Sequence, residues 1–386
     1  MKRDPTIESN ITMEFDLSKP QKLLRETARA TLAQACPFSR VRELMASDTT
    51  HDGSLWQTIA DQGWIGLHLD ERYGGLGLGL VELVVVAEEM GRACLPAPYL
   101  SNLWAATLLS FSANPRSTAL VESIISGLSS ATVALLDQDC DWDLDQIQTQ
   151  LVPTSSGYLV SGNKTAVLDA ESTDVILCVV RFESELAVVS IPVNADGIRM
   201  RKTRGIDATR SLCDVTLDKV SISKDDIVAV GSEACETIEY STRVATLMAC
   251  AETLGAMQWI REATLEYAKT RKQFDRTIGS YQAVQHQCAD MLLMTESARS
   301  ATYYAAWALT AKAGDANKAV AIAKAYCSDM GREVAHRGVQ IHAGIGFTWE
   351  HNIHLFLKRI KVCEFLFGDA TFQREQIAKE ILAVMQ

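Results

Sequence analysis

The chain has 386 residues, 47% hydrophobic and 22% charged, with a formal net charge of −11. This is a globular composition, long enough for two or three domains. The negative balance argues against a nucleic-acid partner, whose phosphates call for a basic surface, and the apolar runs fall short of the roughly 20 residues that cross a bilayer, so no membrane partner is expected.

The opening, MKRDPTIESNITMEFDLSKP, lacks the apolar core of a secretion signal. LSKPQKLLRETARATLAQA then places apolar residues at helical spacing behind a Ser and a Pro, the pattern of a helix start. SLWQTIADQGWIGL repeats that spacing, and the glycines and Pro96 of LDERYGGLGLGLVELVVVAEEMGRACLPAP punctuate two further helices. From about residue 130 the period changes. TVALL, YLVSG, VILCVV, LAVVSI, GIRMRK and CDVTLDKVSI are short, β-rich and bounded by Gly, Asp, Ser or Pro, which predicts a sandwich or barrel. Beyond residue 232 helical spacing returns. Val244, Leu247, Met248, Ala251 and Leu254 share one face, and Gly314 marks a helix–helix turn in an Ala-rich stretch.

The expected fold is therefore α+β and multidomain. It comprises an N-terminal α-helical domain (1–128), a middle β-sandwich or barrel (129–228) and a C-terminal four-helix bundle (229–386). Ten cysteines are scattered without a C-x-x-C pair, which disfavours structural zinc and fits a reducing, cytoplasmic setting. His351 and His354 stand at i, i+3, but no carboxylate-rich or Cys-containing pattern accompanies them, so His342, His351 and His354 read as surface or packing residues rather than metal ligands. The Gly74–Gly77 cluster has no preceding strand and is weak evidence for a phosphate loop.

Three stretches resemble signatures of the acyl-CoA dehydrogenase family: LDERYGGLGLG (69–79), TRKQFDRTIGSYQAVQHQCADM (270–291) and VQIHAGIGFTWEH (339–351). The variants IGFTWEHNIHLFLKR and LFGDATFQRE look closest to bacterial members that degrade steroid side chains. The resemblance implies FAD and an acyl-CoA substrate. It also implies a cofactor shared between subunits, with one β domain holding the flavin ring and the neighbour's bundle reaching the diphosphate and adenosine.

On that resemblance Arg271, Gln273, Phe274, Gln282, Gln340 and Gly344 match the diphosphate half. A guanidinium suits phosphate because it is permanently charged and donates in a fork. Taken alone, an Arg-Lys pair after a helix reads as a solvated terminus; the second signature in register changes that reading. Two departures stand out: Asp275 replaces a Gly, and Ala343 replaces one Gly of the second signature.

The other half looks damaged. The region ALLDQDCDWDLDQ (134–146) lacks the family's flavin stretch, and Ala166, Val167 and Leu168 stand where the family has Trp-Ile-Thr. Trp142 is a candidate substitute for the missing aromatic. The two family positions for the catalytic Glu fall on Phe367 and Ala245, neither of which takes a proton. Glu252, Glu364 and Asp369 are the nearby acids. Glu252 lies seven residues past Ala245, ~10 Å along a helix at ~1.5 Å per residue. Asp369 is the best relocated base, though a helix-cap role suits it better.

Three readings follow. The first is a non-catalytic subunit lending the diphosphate half-site to a catalytic acyl-CoA dehydrogenase partner. That assembly would be an α2β2 heterotetramer acting on a steroid side-chain thioester, with electron-transferring flavoprotein or an equivalent as acceptor. The second is a homomeric enzyme using Asp369, and the third a non-catalytic acyl-CoA-binding or scaffold protein.

Overall fold

The structure is a computed structural model that describes residues 16–47, 52–138 and 142–384. Helices α1 (Lys19–Ala35), α2 (Phe38–Ala46), α3 (Gly53–Asp61), α4 (Leu80–Arg92), α5 (Tyr99–Leu109) and α6 (Pro115–Ile125) come first. The start of α1 is a capping box: the Ser18 hydroxyl accepts from the Gln21 N–H, and the Gln21 amide oxygen accepts from the Ser18 N–H. These bonds satisfy donors that a helix N-terminus otherwise leaves open. Asp52 caps α3 and Asn114 caps α6 in the same way.

Helix α4 is buried nearly all round, including Glu88 and Glu89. Buried carboxylates need partners. Arg29 grips Glu89 through bonds of 2.8 and 2.7 Å, while Arg299 and the Tyr303 hydroxyl, at 2.9 Å, both reach Glu88.

Eight strands follow: β1 (Ala131–Ala134), β2 (Gln150–Thr154), β3 (Gly157–Leu168), β4 (Val175–Phe182), β5 (Glu185–Pro192), β6 (Ile198–Thr203), β7 (Leu212–Ile222) and β8 (Ile227–Val230). They pair in the order β6-β7-β3-β2-β4-β5-β8, with β1 parallel to β4. Alternate residues separate onto two faces. Cys178, Val180, Val189, Val215 and Leu217 belong to a cluster shared by strands across the sheet, so the sheet curls around its own core. Leu177, Val179, Leu186 and Val188 belong instead to the core built with the helices.

Helices α7 (Ser232–Thr270), α8 (Gln282–Thr310), α9 (Ala316–His342), α10 (Ile353–Phe365) and α11 (Ala370–Val384) complete the chain. Between α7 and α8 runs a small hairpin, β9 (Lys272–Gln273) and β10 (Arg276–Thr277). Helix α7 packs on α4, α8, α9 and α10, and α11 lies along α9. The α4–α7 contact is backbone on backbone. A Cβ at Gly91 would overlap the Glu252 carbonyl, and one at Gly255 would overlap that of Glu88. Among the described residues, no helix is long and apolar enough to cross a membrane.

Candidate functional site

Arg271 follows the last residue of α7. Its N–H donates to the Tyr267 carbonyl at 2.8 Å, and its side chain faces solvent. Phe274 and Asp275 form the tip of the β9–β10 hairpin, with φ of +52° and +62°. A two-residue hairpin turn with both central φ angles positive is the type I′ geometry, ordinarily supplied by Asn or Gly. Asp tolerates it; a bulky Phe there is strained. That strained residue holds an aromatic ring 88% exposed to water.

The hairpin is steadied from α8. The Arg276 guanidinium lies 3.8 Å from the centre of the Tyr281 ring, and the Tyr281 hydroxyl donates to the Gln273 carbonyl at 3.2 Å. Gln273 and Gln282 are exposed, the latter as the first residue of α8. Beside the hairpin is a groove of about 300 Å³, lined by Leu265, Ala268, Thr277, Gly279, Val284 and Cys288.

The second signature lies at the end of α9. Gln340 is exposed in the last turn, and Gly344 follows in a short exposed turn, with open space where a Cβ would stand. Tyr267 and His342 connect the two regions. Their rings stack with centroids 4.6 Å apart and planes at 19°. Thus the ends of α7 and α9, distant in sequence, meet. Motif spacing does not reveal Tyr267 or Tyr281; each matters through a contact across elements. Exposed guanidinium and amide groups beside bare backbone can receive a phosphate-bearing ligand.

The remaining sequence candidates lie in packed surroundings. Ala245 is buried within α7. Phe367 is 2% exposed and lies between Trp104 (5.0 Å, 84°) and Trp142 (5.4 Å, 51°). Trp142 therefore packs against Phe367. Ala166 has φ +52° at an irregularity in the β3–β7 pairing, while Val167 and Leu168 are buried.

Each nearby acid has a structural partner. Glu252 is bound by Arg210 and, at 3.3 Å, by Arg359. Arg359 also donates to Asp207 at 2.7 Å and to the Leu95 carbonyl at 3.0 Å. Burial alone would raise the Asp207 pKa, but Arg359 and Thr209 hold it below the usual carboxylate range. Glu364 pairs with Arg332 at 2.5 Å and Lys361 at 2.7 Å. Asp369 accepts from the Phe372 N–H at 2.9 Å, a cap at the start of α11. No group of three or more His, Cys, Asp or Glu among the described residues could hold a metal ion.

Residues 18–127 match the family model for the acyl-CoA dehydrogenase N-terminal domain, and residues 236–382 match that for the C-terminal domain. The chain is similar to acyl-CoA dehydrogenase IpdE2 of Mycobacterium tuberculosis, at 30% identity over 340 residues, covering 88% of this chain and 90% of that protein. Among solved structures it is similar to a chain of the ChsE4–ChsE5 complex from Mycobacterium tuberculosis, with a TM-score of 0.87, 27% identity and coverage of 96% and 99%. It is also similar to a Tcur3481–Tcur3483 steroid ACAD variant, with a TM-score of 0.86, 27% identity and coverage of 95% and 99%.

Proposed function

This chain belongs to the acyl-CoA dehydrogenase family, and from that premise we propose that it is the non-catalytic subunit of a heteromeric enzyme, completing a cofactor site seated in a catalytic partner. The cofactor is FAD. Bound in the assembly, FAD would supply hydride-accepting chemistry toward the β-carbon of an acyl-CoA thioester, with a carboxylate base of the proposed partner taking the α-proton. The role of this chain is to hold and orient. Arg271 pairs with the diphosphate, Gln273, Gln282 and Gln340 donate amide hydrogens to phosphate or ribose oxygens, Phe274 packs on the cofactor, and Gly344 admits it to the backbone.

One contrast carries the proposal. All six of those side chains or backbone positions face solvent, whereas Val167, Leu168, Ala245 and Phe367 are buried and Ala166 is half-buried. Ala166 offers no aromatic face, Leu168 has no hydroxyl, and Ala245 and Phe367 take no proton. The FAD ring does not fit this chain's own β domain, and no catalytic step is assigned there.

A solved relative is a ChsE4–ChsE5 complex and another a steroid ACAD. These support a partner subunit and a steroid-related substrate; the assembly we propose is α2β2, acting on a steroid side-chain thioester. Electron-transferring flavoprotein or an equivalent carrier would reoxidise the cofactor. The helix-cap bond of Asp369 weighs against a homomeric enzyme using it as base. The exposed half-site weighs against a bare scaffold.

The test is co-expression with an acyl-CoA dehydrogenase encoded beside this chain. Flavin absorbance and acyl-CoA oxidation are expected in the complex and not in the chain alone. Arg271→Ala in this chain should release FAD from the intact complex at least about tenfold faster, the loss of one charge-assisted contact. Flavin and turnover in the isolated chain would overturn the proposal.

A further inference from the structure

Arg271 and the Gln340–Gly344 segment are carried by different helices, so their spacing depends on how α7 and α9 end. The two ends are joined by rings. Tyr267 lies one turn before Arg271, and its carbonyl accepts the Arg271 N–H at 2.8 Å. Its ring stacks on His342, the last residue of α9. Deeper in the same contact, a Cβ at Gly338 would overlap the Ile260 side chain of α7, so the missing side chain lets Ile260 pack directly on the α9 backbone.

The surroundings define the charge state of His342. Its Nδ1 lies 2.8 Å from the Gly338 carbonyl, which only accepts, so Nδ1 carries the proton. Nε2 is buried without a partner. On the far side the His351 ring approaches to 4.5 Å. His351 Nδ1 accepts from the Ile353 N–H at 3.2 Å, and its carbonyl accepts from Arg42 of α2 at 3.1 Å. The other groups facing this corner are His354 and Lys358 of α10, while Glu350 is engaged by Thr348.

We propose that Tyr267 and His342 are a positioning pair for the dinucleotide half-site, fixing Arg271 against Gln340 and Gly344 only while His342 is neutral. The inference rests on the reading that this half-site holds the FAD diphosphate in trans. A second proton would place an unaccepted N–H in the interior and a cation beside His351 and Arg42. Burial holds the His342 pKa below its ordinary value of 6.5, and burial followed by His342 itself does the same for His351. The stack is therefore intact above that value and weakens as pH falls below it.

The experiment follows FAD release from the co-expressed complex by flavin fluorescence, from neutral to mildly acid pH, with assembly checked by gel filtration. Tyr267→Ala and His342→Ala should each release FAD about tenfold faster at neutral pH, equivalent to ~1.4 kcal/mol. His342→Phe keeps the ring and cannot titrate. It should retain FAD at neutral pH and abolish the acid-dependent release shown by the natural complex. An unchanged release rate in His342→Ala, in a complex that Arg271→Ala empties, overturns the pair. So does a His342→Phe complex as acid-labile as the natural one. If Arg271→Ala itself leaves FAD in place, the underlying reading fails, and this inference with it.

Discussion

Asp275 concentrates two costs at one position. Its backbone has φ of +62°, where glycine is at ease, and its carboxylate is two residues from the hairpin partner of Arg276, in the site proposed to receive phosphate. Asp275→Gly removes both, and only the carboxylate's removal differs between the free and the FAD-bound complex. Titration of the flavin-free complex with FAD should show tighter binding by about 1 kcal/mol, roughly fivefold in Kd; unchanged or weaker binding would mean that the carboxylate points clear of the ligand. Glu252 illustrates the opposite case, an acid whose neighbours make it indispensable to folding. Removing it leaves Arg210 and Arg359 buried without their shared counter-ion. Glu252→Ala should cost about 3–5 kcal/mol in urea unfolding. Its distance along α7 from Ala245 was readable from helical rise alone. Its partners were not, because they come from the β6–β7 loop and from α10, and no local spacing announces them.

At the scale of elements, caps and periodicity made the helices legible. Ser18 and Pro20 at the start of α1 were a local signal with a local consequence, whereas the caps of Asp52 and Asn114 were recognised only in the fold. The strands were also visible as short β-rich runs, but the curl of the sheet was not. Its order joins β2 to β4 and β3 to β7, pairings set by long-range packing. The same limit hid the surroundings of Phe367. Its sequence position matches one where the resembled family places a Glu, and only the fold supplied the two indoles that enclose it. Phe367→Glu would place a carboxylate between apolar rings and should destabilise the chain by about 2–5 kcal/mol in denaturant titration. It should give no acyl-CoA oxidation by the isolated chain if, as proposed, Ala166 leaves the flavin without an aromatic platform. Recovered turnover would refute the view that more than the base has been lost.

For the whole molecule, the histidines set the acid limit of stability. Burial lowers His68 to about 4, and His342, His351 and His354 are all held below 6.5, with burial the leading cause in each. A group kept neutral in the folded state takes up protons first when unfolded. Stability is therefore full above 6.5 and falls as pH drops through it towards the folded values. Thermal melts should move to lower temperature across that interval, and His68→Gln should flatten part of the slope. Asp207 acts lower, below the ordinary carboxylate value of 3.8, where Arg359 loses one of its two anionic partners.

The packing of Trp104, Phe367 and Trp142 also has a consequence for motion. A cleft that admits substrate must open and close, and its backbone amides exchange hydrogens through those openings. In this chain Trp104 and Trp142 pack on Phe367, and under the proposed non-catalytic role no substrate arrives there to slow the exchange. Under added acyl-CoA, deuterium uptake around Phe367 should stay constant in this chain while it falls in the proposed catalytic partner. The assembly would then breathe on one side only, with its quiet subunit serving as the fixed wall against which the other moves.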